Sequence, residues 1–180
     1  MKSVPLTIPL SADDIGALKA GMLITLSGTI YTARDSAHKI IAGMVQNNEP
    51  LPINFNNAVI FYAGPSPAPE GLPIGAIGPT TSYRMDAYTE MMLSLGVKVF
   101  IGKGSRNNNI KKLLVQYKAI YCSSFGGAAA YLNQCVISAK PVAFEWLGPE
   151  AIVELTVNNF PAVIINDIYG GDLYANVSES

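Results

Sequence analysis

MLITLSGTIYTARDSAHKIIAGMVQ, residues 22–46, changes its period halfway along. Residues 22–31 are rich in β-branched and aromatic types and read as a strand, with Gly28 marking a bulge or a close backbone approach. From residue 34 to 46 the spacing turns helical and puts Ala37, Ile41 and Val45 on one face. Asn47, Asn48 and Pro50 stop that helix. A strand running into a helix is the repeating unit of an α/β protein.

Outward from this stretch the alternation continues. AVIFYAG (58–64) is a continuous apolar strand, PSPAPEG (65–71) a turn-rich loop, and LPIGAIGPTTS (72–82) a mixture of strand and loop. A helix is predicted from about residue 82 to 95, closed by Gly96. VKVFIG (97–102) reads as a buried strand, Ser105 as the cap of a helix reaching Lys118, and AIYCS (119–123) as a short strand. GGAAAYL (126–132) starts a helix after a glycine turn, and VISAKPVAF, AIVELTV and PAVIIND supply three later strands. Upstream, VPLTIP (4–9) reads as an edge strand, where proline is tolerated. Ser11 followed by Asp13 and Asp14 opens a short helix that Gly21 ends. The expected class is α/β, a mixed sheet flanked by helices. Residues 1–180 form a single domain, with 175–180 as a frayed tail.

Composition narrows the functional classes. The chain has 180 residues, 49% of them hydrophobic and only 14% charged, against roughly 25% charged in an ordinary soluble domain. Twelve basic and thirteen acidic residues leave a net charge of -1, which excludes a basic nucleic-acid footprint. So little charge implies an apolar surface that a partner covers. The N-terminus, MKSVPLTIPLSADD, is not a signal peptide, and no apolar run approaches the roughly 18 residues of a membrane span. A cytoplasmic location is expected. Two cysteines, Cys122 and Cys135, fall short of an iron–sulfur ligand set and read as buried apolar residues.

Charge this scarce can be followed residue by residue. Each of the three arginines, Arg34, Arg84 and Arg106, falls in the first turn of a predicted helix. That end is unfavourable for a cation by about 0.3–1 kcal/mol. A helix N-terminus beside a guanidinium is, however, suited to a carboxylate or phosphate. Lys103 in IGKGS adds a fourth cation on a glycine-flexible backbone. The only histidine, His38, shares a helix face with Arg34, and Asp35 stands three residues before it, able to set its tautomer. GVKVFIGKGS fails the phosphate-loop spacing, and no GxGxxG or GxSxG pattern follows a strand. One histidine excludes a multi-histidine metal site within the chain.

GTIYTARDSAHK (28–39), FYAGPSPAPEG (61–71), GAIGPTTSYRMD (75–86), IGKG (101–104), FGGAAAYL (125–132) and LGPEAIVELTVNNFPAVIINDIYGGDLY (147–174) occur in this order. Together they resemble the β subunit, or C-terminal domain, of the class I fumarate hydratase and L-tartrate dehydratase family, nearly end to end. The resemblance implies a swivelling β/β/α domain and an α subunit carrying a [4Fe–4S] cluster, in an α2β2 assembly. It implies reversible trans addition of water to the double bond of a small dicarboxylate. Carried over, Arg34, Arg84 and Lys103 match substrate-carboxylate ligands. Thr80 matches a threonine at the reacting carbons and His38 a catalytic histidine. Asp35, Thr81 and Gly104 are supporting, Arg106 matches no family role, and neither cysteine matches a cluster ligand. NNFP (158–161) departs from the family, in which an acid often precedes FP.

On chemistry alone a threonine hydroxyl is a poor base, which favours His38 or a partner residue for the proton. Fumarate is the expected substrate and tartrate the alternative. A non-catalytic dicarboxylate-binding or assembly module would use the same arginines, and an unrelated phosphate-binding enzyme is disfavoured by the failed phosphate-loop spacing.

Overall fold

The computed structural model describes residues 3–124 and 129–178. Its sheet has seven strands: β1 (Val4–Thr7), β2 (Leu23–Thr32), β3 (Val59–Phe61), β4 (Val99–Gly102), β5 (Ile120–Ser123), β6 (Val136–Ala143) and β7 (Ile152–Asn166). Their order is β1-β2-β3-β4-β5-β7-β6. The strands β2, β3, β4 and β5 are parallel neighbours. Between them run α2 (Asp35–Gln46), α3 (Asp86–Ser94) and α4 (Asn108–Tyr117), the crossovers that parallel pairing requires. The long β7 pairs antiparallel with β5 at one end and with β2 along most of its length. The ring β2-β3-β4-β5-β7 therefore closes into a small barrel, with β1 and β6 as its outliers.

Strand alternation divides the core in two. Val59, Phe61, Val99, Ile101, Ile120 and Cys122 join Leu26, Ile30, Leu155 and Phe160 in one cluster, the filling of the barrel. Ile60, Tyr62, Phe100 and Tyr121 point the other way and meet Ala37, Ile41, Met92, Leu93, Ile110 and Leu114 of the helices. Strands covered on both faces read as unbroken apolar runs, which is why 58–64 and 97–102 lack a polar side.

The mixed sheet and its helices match the expected class, and the edge position of β1 suits its one proline, Pro5. Gly28 has φ +129°, sits at a register shift between β2 and β7, and would set a Cβ 2.9 Å from the Ile8 carbonyl oxygen. Ser11 caps α1 (Ala12–Ala17) in a capping box with Asp14.

Three readings are corrected. AIVELTV and PAVIIND are one strand, β7, because NNFP is a register shift against β2 and not a turn. Asn159 takes φ +52°, while Asn158 and Asn159 keep their N–H groups bonded to the Cys135 carbonyl and the Ser27 hydroxyl. The cap of α4 is Asn107, whose side chain accepts the Ile110 N–H at 2.9 Å, not Ser105. Arg106 accordingly precedes the helix instead of lying in its first turn.

A short helix, α6 (Leu173–Ser178), covers the described part of the segment expected to fray, and residues 179–180 lie outside the described residues. In FGGAAAYL, residues 125–128 lie outside the described residues, and α5 (Ala129–Gln134) follows them.

Candidate functional site

The carried-over residues gather at the carboxyl ends of parallel strands, where open α/β sheets bind ligands. Arg34 follows β2 as the N-cap of α2. Thr80, Thr81 and Arg84 lie between β3 and α3, Arg84 within a 3-10 turn, Ser82–Met85. Lys103 and Gly104 follow β4. Backbone bonds bring the second and third groups together: Thr80 N–H to the Tyr62 carbonyl at 2.7 Å, Lys103 N–H to the Thr80 carbonyl at 3.2 Å, and Ser82 N–H to the Lys103 carbonyl at 3.0 Å. Thr81 and Lys103 form a parallel bridge.

Two guanidiniums meet at one carboxylate. Arg34 Nε lies 4.0 Å and Arg84 Nη2 3.5 Å from Asp35 Oδ2. Arg84 Nη2 also donates to Thr80 Oγ1 at 2.6 Å. On its far side Arg34 lies 3.6 Å from Glu150 Oε1, and the Ser36 N–H donates to Glu150 Oε2 at 2.9 Å. Glu150 thus occupies the N-terminus of α2 that the sequence offered to an external anion. The hydrogen bonding of Ser36, with the Arg34 and Arg84 charges, overcomes its burial and holds its pKa below the usual range. Gly64 makes room for this pairing: a Cβ there would stand 2.9 Å from Arg34 Nη1 and 2.6 Å from the Pro149 carbonyl oxygen. Lys103 and Arg84 are exposed, while Arg34, Asp35, Thr80 and Glu150 are half-buried.

His38 is fully buried, against the rings of Tyr62 and Tyr88. Its Nδ1 lies 2.8 Å from the Arg34 carbonyl oxygen. A carbonyl only accepts, so Nδ1 carries the proton and Nε2 is the bare acceptor. Nε2 is buried with no hydrogen-bond partner among the described residues. Burial lowers the imidazole pKa to about 4 despite the opposing pull of the Arg34 carbonyl and the Asp35 charge. His38 is therefore neutral at pH 7 and touches the site through Arg34.

Arg106 does not join the others. Its side chain is 0% exposed and its Nε lies 2.5 Å from Asp86 Oδ1. Nη2 donates to Thr89 Oγ1. The guanidinium carbon sits 5.2–5.5 Å from the ring centres of Tyr121 and Tyr62. Gly104, at φ +82°, turns the chain just after Lys103, and its carbonyl oxygen lies 2.7 Å from the Tyr121 hydroxyl.

Local spacing could not find Glu150, which stands 114 positions from its Ser36 partner. The same holds for Asp86, whose partner Arg106 is 20 residues away. The two cysteines are free and buried within the barrel cluster. Among the described residues no group of three or more His, Cys, Asp or Glu is arranged to hold a metal ion. Nor is any helix there long and apolar enough to cross a membrane.

Comparison with known proteins places the chain. A family model described as Fumarase C-terminus matches residues 1–177. The provisionally named L(+)-tartrate dehydratase subunit beta of Methanocaldococcus jannaschii is 38% identical over 176 residues, 94% of this chain and 90% of that one. Fumarate hydratase 2 of Leishmania major is 38% identical over 157 residues, and the anaerobic class I fumarate hydratase of Escherichia coli is 35% identical over 156. The matches cover 86% of this chain but only 28% of either fumarate hydratase.

Proposed function

The chain belongs to the fumarase C-terminal family, and we propose that it is the β subunit of a hydro-lyase that adds water reversibly to fumarate. It supplies the carboxylate-binding half of an active site completed by an α subunit. The reading is supported by the match to 90% of a protein named subunit beta, while the chain spans about a quarter of the fumarate hydratases it matches. The barrel with its helical layer fits the swivelling β/β/α architecture, and an α2β2 assembly in the cytoplasm goes with the same reading.

The observation that carries the proposal is the meeting of Arg34 and Arg84 at the Asp35 carboxylate. Guanidiniums from two separate elements converge within 4.0 Å of one carboxylate oxygen that neither hydrogen-bonds, which leaves their donors free for a second carboxylate. Asp35 and Glu150 restrain both arginines before substrate arrives, so little side-chain freedom is lost on binding. Three cations against two carboxylates leave positive charge for a small dianion, and Lys103 extends it to the other end of the molecule. Two charge-assisted contacts at one end and a lysine at the other orient the double bond and stabilise charge that grows on the carboxylate side during reaction.

Thr80 accepts from Arg84, so its own proton points away from the guanidinium. A cation at that distance favours the ionised form of the hydroxyl, so Arg84 is placed to activate Thr80 for proton transfer. His38, buried and neutral, fixes the backbone of Arg34. The group that takes the proton from carbon is then Thr80 or a residue of the α subunit. A [4Fe–4S] cluster would supply Lewis acidity at the hydroxyl that adds or leaves. The thiols of this chain do not fit as its ligands, being shut inside the core, so the cluster falls to the partner.

Tartrate is the second reading, favoured by the near-complete match to the provisionally named tartrate dehydratase subunit. The reading is tested by Arg84→Ala in the assembled enzyme. Loss of a charge-assisted carboxylate contact predicts a fall in kcat/KM of at least ~100-fold. Unchanged kinetics would remove Arg84 from the site. Succinate binding to an inactive but intact assembly would favour the non-catalytic module.

A further inference from the structure

Arg106 is a charge enclosed in the core, in a chain with few charges to spend. Its guanidinium, 0% exposed, reaches no solvent and no substrate. A cation buried this way is costly unless it is paired. Its bonds run in two directions, Nε to Asp86 and Nη2 to Thr89. Asp86 begins α3, two residues after Arg84, and its other carboxylate oxygen accepts the Asn107 N–H at 3.3 Å. Arg106 and Asn107 continue the turn that starts at Lys103. The pair thus ties the segment bearing Arg84 to the segment bearing Lys103. It adds to the backbone bonds of Thr80 and Ser82 with Lys103 and to the Tyr121 hydroxyl, which lies 2.8 Å from Ser82 Oγ and 2.7 Å from the Gly104 carbonyl oxygen.

We propose that the buried Arg106–Asp86 pair is a positioning device that sets the span between Arg84 and Lys103, and hence the length of dicarboxylate the site accepts. The inference rests on the proposed function for the identity of the ligand, and on the geometry alone for the device. Lysine cannot replace Arg106, because one ammonium on a flexible stem cannot hold Asp86 and Thr89 together in a planar fork. Removing only one partner would leave an uncompensated buried charge and confuse positioning with folding. The informative variant removes both charges.

The test uses the purified assembly of this chain with its α subunit, carrying Arg106→Met with Asp86→Asn, or Arg106→Lys alone. Melting temperature reports folding, fumarate kinetics report activity, and calorimetric titration with succinate reports clamp binding without turnover. Positioning predicts that the double variant melts close to the unaltered assembly yet has KM for fumarate and Kd for succinate raised at least ~10-fold, with kcat within ~3-fold. It also predicts reduced preference for succinate over glutarate, which is one carbon longer. Arg106→Lys should show the same loss. A well-folded double variant with unchanged KM, Kd and length preference would overturn the proposal. If the unaltered assembly turned over no fumarate, the proposed function would fail, and the succinate and glutarate titrations would still decide the fate of the positioning pair.

Discussion

At His38 burial and hydrogen bonding oppose each other, and burial wins. With its pKa lowered to about 4 in the fold, against about 6.5 in the unfolded chain, the imidazole binds a proton more readily when the protein is unfolded. Its contribution to stability is therefore complete above pH 6.5 and is lost as pH falls toward 4, at about 1.4 kcal/mol per unit. In urea unfolding between pH 7.5 and 5, the protein should lose stability along this slope, and His38→Gln should remove most of it. Equal slopes in the two proteins would show that His38 does not titrate as its surroundings require. That Arg34 and Arg84 converge could be expected because each stands in a motif at a strand-to-helix turn of the sequence. Glu150 and Asp86 were not legible in it, since an acid's role depends on a partner that only the fold brings near.

Among the elements, those whose causes are local were readable in advance. The helix predicted at 34–46 is α2, Asp35–Gln46, because period, cap position and the asparagine stop lie within one stretch. β7 was misread because its continuity is tertiary. Its N-terminal half pairs with β6 through Val157 and its C-terminal half with β5 from Val163. Pro161 falls between the two partners, where its missing N–H breaks no ladder bond on that side, and its carbonyl accepts the Ser124 hydroxyl at 3.2 Å. Nothing in NNFP itself reveals those partners. At Gly28 local and tertiary causes agree. Both the positive φ and the approach of Ile8 exclude a side chain, so Gly28→Ala should lower stability by about 1–3 kcal/mol, read as a fall in the urea midpoint. A midpoint unchanged within error would mean that β1 and its loop can move away without cost.

For the whole molecule, closure of the barrel explains both the low charge and the exposed remainder. The strands β3, β4 and β5, buried on both faces, consume apolar residues, yet Trp146, Tyr83 and Ile137 remain 76%, 64% and 63% exposed. Tyr83 adjoins Arg84, and Trp146 lies on the 3-10 helix Glu145–Glu150 that delivers Glu150 to Arg34. An apolar groove lined by Pro65, Pro67, Pro73, Pro141 and Pro149 borders the clamp without containing it. Apolar surface around a cationic clamp is the pattern of a half-site finished by another surface. The most direct test is to co-express the chain with its α subunit, purify the pair without oxygen, and assay fumarate, malate and both tartrate isomers beside the chain alone. The account predicts turnover by the pair, on fumarate and malate above tartrate, and none by the isolated chain. Turnover by the chain alone, or none by an intact, cluster-loaded pair on any of the four substrates, would contradict it.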